Sequence, residues 1–250
     1  MLFSILGSGR SVHEIILILA MFILVLGYSF SIHEFMHGYS AHLLGDDTAK
    51  LMGRLTMNPT KHIDPFGAMM FLFVGFGWAK PIPVNYSKLT RLKSKDSMVR
   101  IVSVAGVTAN FISAWIAYFL FTLVNVVVSN TSFTSSGSIF AYQMVIQVML
   151  MFFHFNLMLM AFNLLPFPPL DGYHILETFI PVKYRLRFQK YERYFSGALF
   201  ALIVIGVIVQ SSPLYSLVEM VQKPFRYIIQ TPLDFLSPVN IEINNLISMN

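Results

Sequence analysis

Residues 15–32 run for eighteen positions without a charged side chain, and the chain then sets His33, Glu34 and His37 directly against the end of that run. A segment so long and apolar folds as a membrane-crossing helix, because in lipid every backbone N–H and C=O must be paired inside the segment. Ionisable side chains near the bilayer centre cost roughly 2.5–3.5 kcal/mol or more each. Three within five residues therefore demand a shared purpose.

Four segments are long and apolar enough to span, at about 13–44, 98–129, 141–165 and 195–212. The 12% charged content is about half that of an ordinary soluble domain. A shorter apolar run at 65–78, interrupted by three glycines, fits a re-entrant or interfacial piece. The uneven alternation around Gly53 in 48–59 predicts a small β-hairpin. The expected fold is an all-α polytopic membrane protein with about four transmembrane helices, a re-entrant or interfacial segment and that hairpin on the cytosolic side. One membrane-embedded domain, 1–250, is expected, with its core at 13–195 and a C-terminal helix and interfacial tail in 196–250. Within that tail, 214–230 reads as an amphipathic interfacial helix. The first run has no small-residue cleavage pattern and is read as retained.

Basic residues orient this arrangement. Residues 45–100 hold nine of the 17 Lys and Arg, residues 166–195 hold five, and 129–138 hold none. The two basic loops are accordingly expected in the cytosol and both termini outside. The net charge of +5 then reports topology and anionic lipid rather than a nucleic-acid partner. With no cysteine in the chain, thiolate ligation is excluded and any metal must sit on nitrogen and oxygen.

His33 and His37, four apart on a helix, stack on one face and can grip one ion, while Glu34 beside them can take a proton from water. That is the donor pattern of a zinc hydrolase. A pair of histidines satisfied inside a bundle is the plainer reading, and the rival functions are a metal transporter or sensor and a non-proteolytic membrane scaffold. Asp171, in "FNLLPFPPLDGYHIL", can supply a third ligand at a proline-made helix break, or serve as a helix N-cap. His174, one turn on, can orient it. Asn163, at the last turn of a span, can donate to an oxyanion or to a neighbouring helix. His62 can line a substrate path or stand in a solvated loop.

Taken together, "HEFMHGYSAHLLGDDTAKLMGRLTMNPTKHIDPFGAMM", "FGWAKPIPVN" and "NLMLMAFNLLPFPPLDGYHIL" resemble the site-2 protease family of intramembrane zinc metalloproteases, in its compact branch without a PDZ domain. The resemblance covers roughly residues 15–195. It implies one Zn²⁺ held by His33, His37 and Asp171, with Glu34 as general base, and a partner whose transmembrane segment is cut. It links Asn163, eight residues before Asp171, to substrate or oxyanion contact, and it places His62 in a family-like stretch. A multi-pass protein of a prokaryotic cell membrane is expected, and His37, seven residues or about 10 Å inside Leu44 at the cytosolic surface, sets the active site near the cytosolic side. One departure is visible: the family's usual Ala-Gly-Pro before an asparagine reads "AGVTAN", with Val107 in place of proline.

Overall fold

A computed structural model describes residues 9, 11–74, 77–129, 135–209 and 213–235. The first helix, α1 (Val12–Leu43), is capped by Ser11, whose hydroxyl accepts from the Glu14 N–H while the Glu14 carboxylate accepts from the Ser11 N–H at 2.8 Å. Its 32 residues reach about 48 Å, more than the roughly 30 Å of a hydrocarbon core, so one end must project beyond the apolar layer. At the other end Gly45, at φ 111°, closes the helix: the Asp46 N–H donates to Ala41 O and the Gly45 N–H to His42 O. Those two bonds make a Schellman stop.

Residues 48–59 form no hairpin. They fold as a single helical turn, α2 (Thr48–Leu51), followed by a 3₁₀ turn, Pro59–Lys61. Gly53, which the alternation placed in a strand turn, is the left-handed residue just past α2, at φ 65°, and the Arg54 N–H donates back to Ala49 O. A glycine with positive φ serves a hairpin and a helix stop equally well, and Asp46 decides the matter by accepting from the Thr48 N–H and hydroxyl at the helix start. The described residues hold no sheet, only an isolated antiparallel bridge between Ile63 and Ala79.

That bridge lies beside a short apolar helix. Asp64 caps α3 (Pro65–Val74) by accepting from the Gly67 N–H at 2.7 Å. Ten residues rise only about 15 Å, about half a hydrocarbon core, and Gly67 lies close against Trp78 and Gly77. A Cβ on Gly67 would stand 2.1 Å from Trp78 O, so only glycine permits this approach. Phe71 of α3 packs with Val25, Phe155 and Leu159, and its ring meets those of Phe22 and Phe155.

The long helices α4 (Lys95–Ser129) and α5 (Ser136–Asn163) lie against α1 and against each other. Beyond the prolines at 166, 168 and 169 follow α6 (Asp171–Glu177), α7 (Val182–Lys190), α8 (Glu192–Val209) and α9 (Pro213–Asp234). Three helices among the described residues, α1, α4 and α5, are long and apolar enough to cross a membrane. The expected fourth span corresponds to α8, which opens on Glu192 and Arg193 and is not one of the three; residues 210–212 lie outside the description.

α9 contains the helix expected at 214–230. It runs on through Pro224 and Pro232 and packs on α4 and α5, with Leu214, Val218, Ile229 and Leu233 buried in the main core. Its last residue, Asp234, accepts a hydrogen bond from the Tyr118 hydroxyl of α4. The tail expected beyond it falls outside the described residues.

Candidate metal centre

On α1, the four-residue spacing sets the His33 and His37 rings edge to face, with centroids 4.5 Å apart. Both imidazoles are hooked to α4. His33 Nδ1 donates to Asn110 Oδ1 at 2.6 Å, and His37 Nδ1 donates to Val102 O at 2.7 Å. Val102 O is a carbonyl and can only accept, so the proton of a neutral His37 sits on Nδ1. Asn110 Nδ2 donates to Ser29 O and to Asn156 Oδ1, which turns its oxygen toward His33 and fixes the same tautomer there.

Both Nε2 atoms therefore carry bare lone pairs, and they face each other at 3.0 Å. Asp171 Oδ2 completes the triangle, 3.3 Å from His33 Nε2 and 3.2 Å from His37 Nε2. That oxygen is buried and has no hydrogen-bond donor. Three acceptor lone pairs converging in a buried space repel one another unless a cation lies between them. An added proton could bridge two of the atoms but not three.

The dimensions select a metal ion. A tetrahedral zinc site with bonds of about 2.0–2.1 Å sets neighbouring ligand atoms about 3.3 Å apart, close to all three separations here. His33, His37 and Asp171 thus form a group able to hold a metal, and the residues present fit zinc. Such a nitrogen and oxygen donor set leaves the fourth position open.

Two glycines make the convergence possible. Gly106, midway between Val102 and Asn110 on α4, lies flat against the rings: a Cβ there would be 2.3 Å from His37 Nε2 and 2.8 Å from His33 Cε1. Gly172 lets the first turn of α6 press on the end of α5, where a Cβ would meet Leu164 O at 2.3 Å and Leu165 O at 2.5 Å. Asp171 is the first residue of α6 and not its N-cap; Leu170 takes that place without a side-chain hydrogen bond.

Glu34 is buried beside the cluster, 9% exposed, and its Oε2 accepts from the Ile82 N–H at 2.6 Å. Ile82 belongs to an extended stretch lying over α1. Gly38 opens the room for it, since a Cβ there would be 2.4 Å from Ile82 Cδ1. Asp46 ties down the far end of the stretch by accepting from the Asn85 N–H at 2.6 Å, and Arg54 donates to Lys80 O at 2.9 Å. Burial works against the Asp46 charge, but the Thr48 hydroxyl and the Asn85 and Thr48 N–H groups outweigh it, holding this carboxyl below the usual range.

The remaining candidates stand elsewhere. Asn163 donates to Leu159 O of its own helix at 2.9 Å. His62 is fully buried, its Nε2 bonded to Thr56 O at 2.7 Å, and it lines a cavity of about 80 Å³ together with Leu26, Phe30, Phe71 and Trp78. His62 is therefore no solvated loop residue. His174 lies 4.0 Å from Glu177 with its ring tilted toward Tyr86, centroids 6.0 Å apart, and these contacts do not orient Asp171. Asn110 reads in sequence as a small packing residue, yet it is the direct partner of His33. A polar amide in the middle of an apolar span is costly in lipid and was the available signal.

The sequence profile of peptidase family M50 matches residues 21–206. The chain belongs to that family, the site-2 proteases, and with it to the zinc metalloproteases. It is also 43% identical over 175 residues, 69% of this chain and 74% of the relative, to a Bacillus subtilis (strain 168) protein named "Putative zinc metalloprotease YwhC". No solved structure matches the chain.

Proposed function

We propose that this protein is an intramembrane endopeptidase that hydrolyses a peptide bond within a transmembrane segment of another protein, using one zinc ion held by His33, His37 and Asp171. The observation that carries this reading is the convergence of three bare, buried acceptor atoms at 3.0–3.3 Å beside a carboxylate, at the end of an apolar span. When bound, zinc supplies the Lewis acidity that makes water a nucleophile near neutral pH.

Glu34 is the general base in this proposal. The Ile82 N–H engages Oε2 and so fixes the carboxylate, leaving Oε1 to receive a proton from the attacking water and pass it to the leaving amine. The Nδ1–H bonds to Asn110 and Val102 leave Nε2 of each imidazole as the atom that would meet the ion. Asn163 and His62 are proposed as substrate contacts. Asn163 would exchange its intrahelical bond for the substrate carbonyl, and His62 belongs to the wall of an apolar cavity suited to an apolar side chain. A helical substrate must unwind first, because its carbonyls are bonded within the helix.

The site is proposed to lie within the membrane near one face, a reading supported by His37 standing seven residues before Leu44, about 10 Å along α1. In this proposal that face is the cytosolic one, which the basic loops support, in a prokaryotic cell membrane, and residues 1–250 act as one membrane-embedded domain. The test is Glu34→Gln in protein reconstituted with a membrane substrate. Cleavage should fall by about 10²–10⁴-fold while zinc content is unchanged. Cleavage at the wild-type rate would overturn the role given to Glu34, and a wild-type protein that binds no zinc would overturn the reading as a whole.

A further inference from the structure

Behind His33 stands a polar node that joins three helices. Asn110 of α4 accepts from His33 Nδ1, and its own amide donates to Ser29 O at 3.2 Å and to Asn156 Oδ1 at 2.8 Å. Asn156 of α5 in turn donates to Ser29 Oγ at 2.9 Å and to Phe152 O at 2.9 Å. Ser29, Asn110 and Asn156 each have no exposed surface.

The direction of this chain of hydrogen bonds is not free. Ser29 O and Phe152 O are backbone carbonyls and can only accept. Phe152 O fixes which way the Asn156 amide faces, and that leaves Asn156 Oδ1 toward Asn110. Two acceptors, Asn156 Oδ1 and Ser29 O, then draw the Asn110 NH₂ group to their side. Asn110 Oδ1 is left facing His33. Were Asn110 to flip, its oxygen would meet two acceptors and its NH₂ would meet a ring N–H, a buried loss on both sides. Nothing in an apolar bundle supplies water to repair it.

We infer that Asn156 and Ser29, acting through Asn110, are positioning residues that set the tautomer of His33 and hold its Nε2 lone pair toward the metal. This rests on the reading of His33 as a zinc ligand. It goes beyond that reading because the two outer residues touch neither the ion nor a substrate. The node also explains why an asparagine stands inside each of the apolar spans α4 and α5.

The experiment is zinc competition against a chromophoric chelator in detergent-solubilised full-length Asn156→Leu and Asn156→Ala, paired with ¹⁵N-histidine spectra of the metal-free proteins. His33→Gln assigns the His33 signal. In wild type, His33 should show the Nδ1–H tautomer. Asn156→Leu should bind zinc about 10- to 100-fold more weakly, as is usual when the partner behind a metal ligand is lost. Its His33 signal should move toward a mixture of tautomers. Asn156→Ala removes the same acceptor from Asn110 without adding an apolar branch, so it should show the same two changes even where Asn156→Leu fails to fold. Zinc affinity within twofold of wild type and an unaltered His33 signal in Asn156→Ala would overturn the inference while leaving the zinc site standing. Absence of zinc binding in wild type would overturn the reading of the site beneath it.

Discussion

Replacing Gly106 with alanine asks one methyl group to enter the space where two metal ligands meet their supporting helix. The added Cβ would lie 2.3 Å from His37 Nε2, 2.7 Å from His37 Cε1 and 2.8 Å from His33 Cε1. Ordinary van der Waals contact begins near 3.4 Å, so His37 Nε2 must retreat by about 1 Å from the methyl. Metal bonds tolerate about 0.2 Å. Neither ring can swing aside cheaply, because Val102 O and Asn110 Oδ1 hold them from positions four residues before and four residues after Gly106. Overpacking of this kind costs about 1–3 kcal/mol. If the strain is relieved at the ion, that equals about 5- to 150-fold weaker zinc binding. The opposing term is helix propensity, which favours alanine over glycine by about 1 kcal/mol in a helix interior. The two terms separate in the assay. Zinc affinity by chelator competition should fall at least about fivefold, and the metal-dependent part of the thermal stability should shrink with it. A Gly106→Ala protein that is more stable than wild type and binds zinc as tightly would refute the packing of α4 against the ligands.

Two further outcomes follow from the same geometry. Gly172→Ala sets a methyl against Leu164 O and Leu165 O, backbone atoms that cannot give way, so Asp171 must shift; zinc affinity should drop about tenfold or more, and unchanged affinity would exclude the close contact. Because the folded Asp46 carboxyl lies below its unfolded value of about 3.9, its contribution to stability is present above that pH and is lost as pH falls through the lower, folded value. The difference in melting temperature between wild type and Asp46→Asn should therefore be large at roughly pH 6 and shrink toward roughly pH 3. A difference that stays constant across that interval would refute the charge as its source.

What could be read from the residues divides along the range of the interactions. Spans α1, α4 and α5 are legible because eighteen or more apolar residues in lipid leave the backbone no alternative to helix. The stacking of His33 over His37 is legible because it depends only on a four-residue turn. The hairpin expected at 48–59 is not there, because Gly53 suits either turn and the deciding contacts, from Asp46, concern the cap of a helix of four residues. The helix at 213–234 lies on α4 and α5 because Leu214, Val218, Ile229 and Leu233 find a core there, which amphipathicity alone cannot distinguish from a lipid surface.

The sequence by itself determined a membrane-embedded helical chain, two histidines and a glutamate on one turn, and, through resemblance, the aspartate that joins them. Only the tertiary structure decided that Asp171 comes within 3.3 Å of both imidazoles, that Gly106 is the surface they rest on, and that Asn110, Asn156 and Ser29 fix the proton on the far side of His33. Local spacing follows from helix geometry and is written in the chain. The third ligand and the amides behind the first come from other helices, and their meeting depends on how those helices pack.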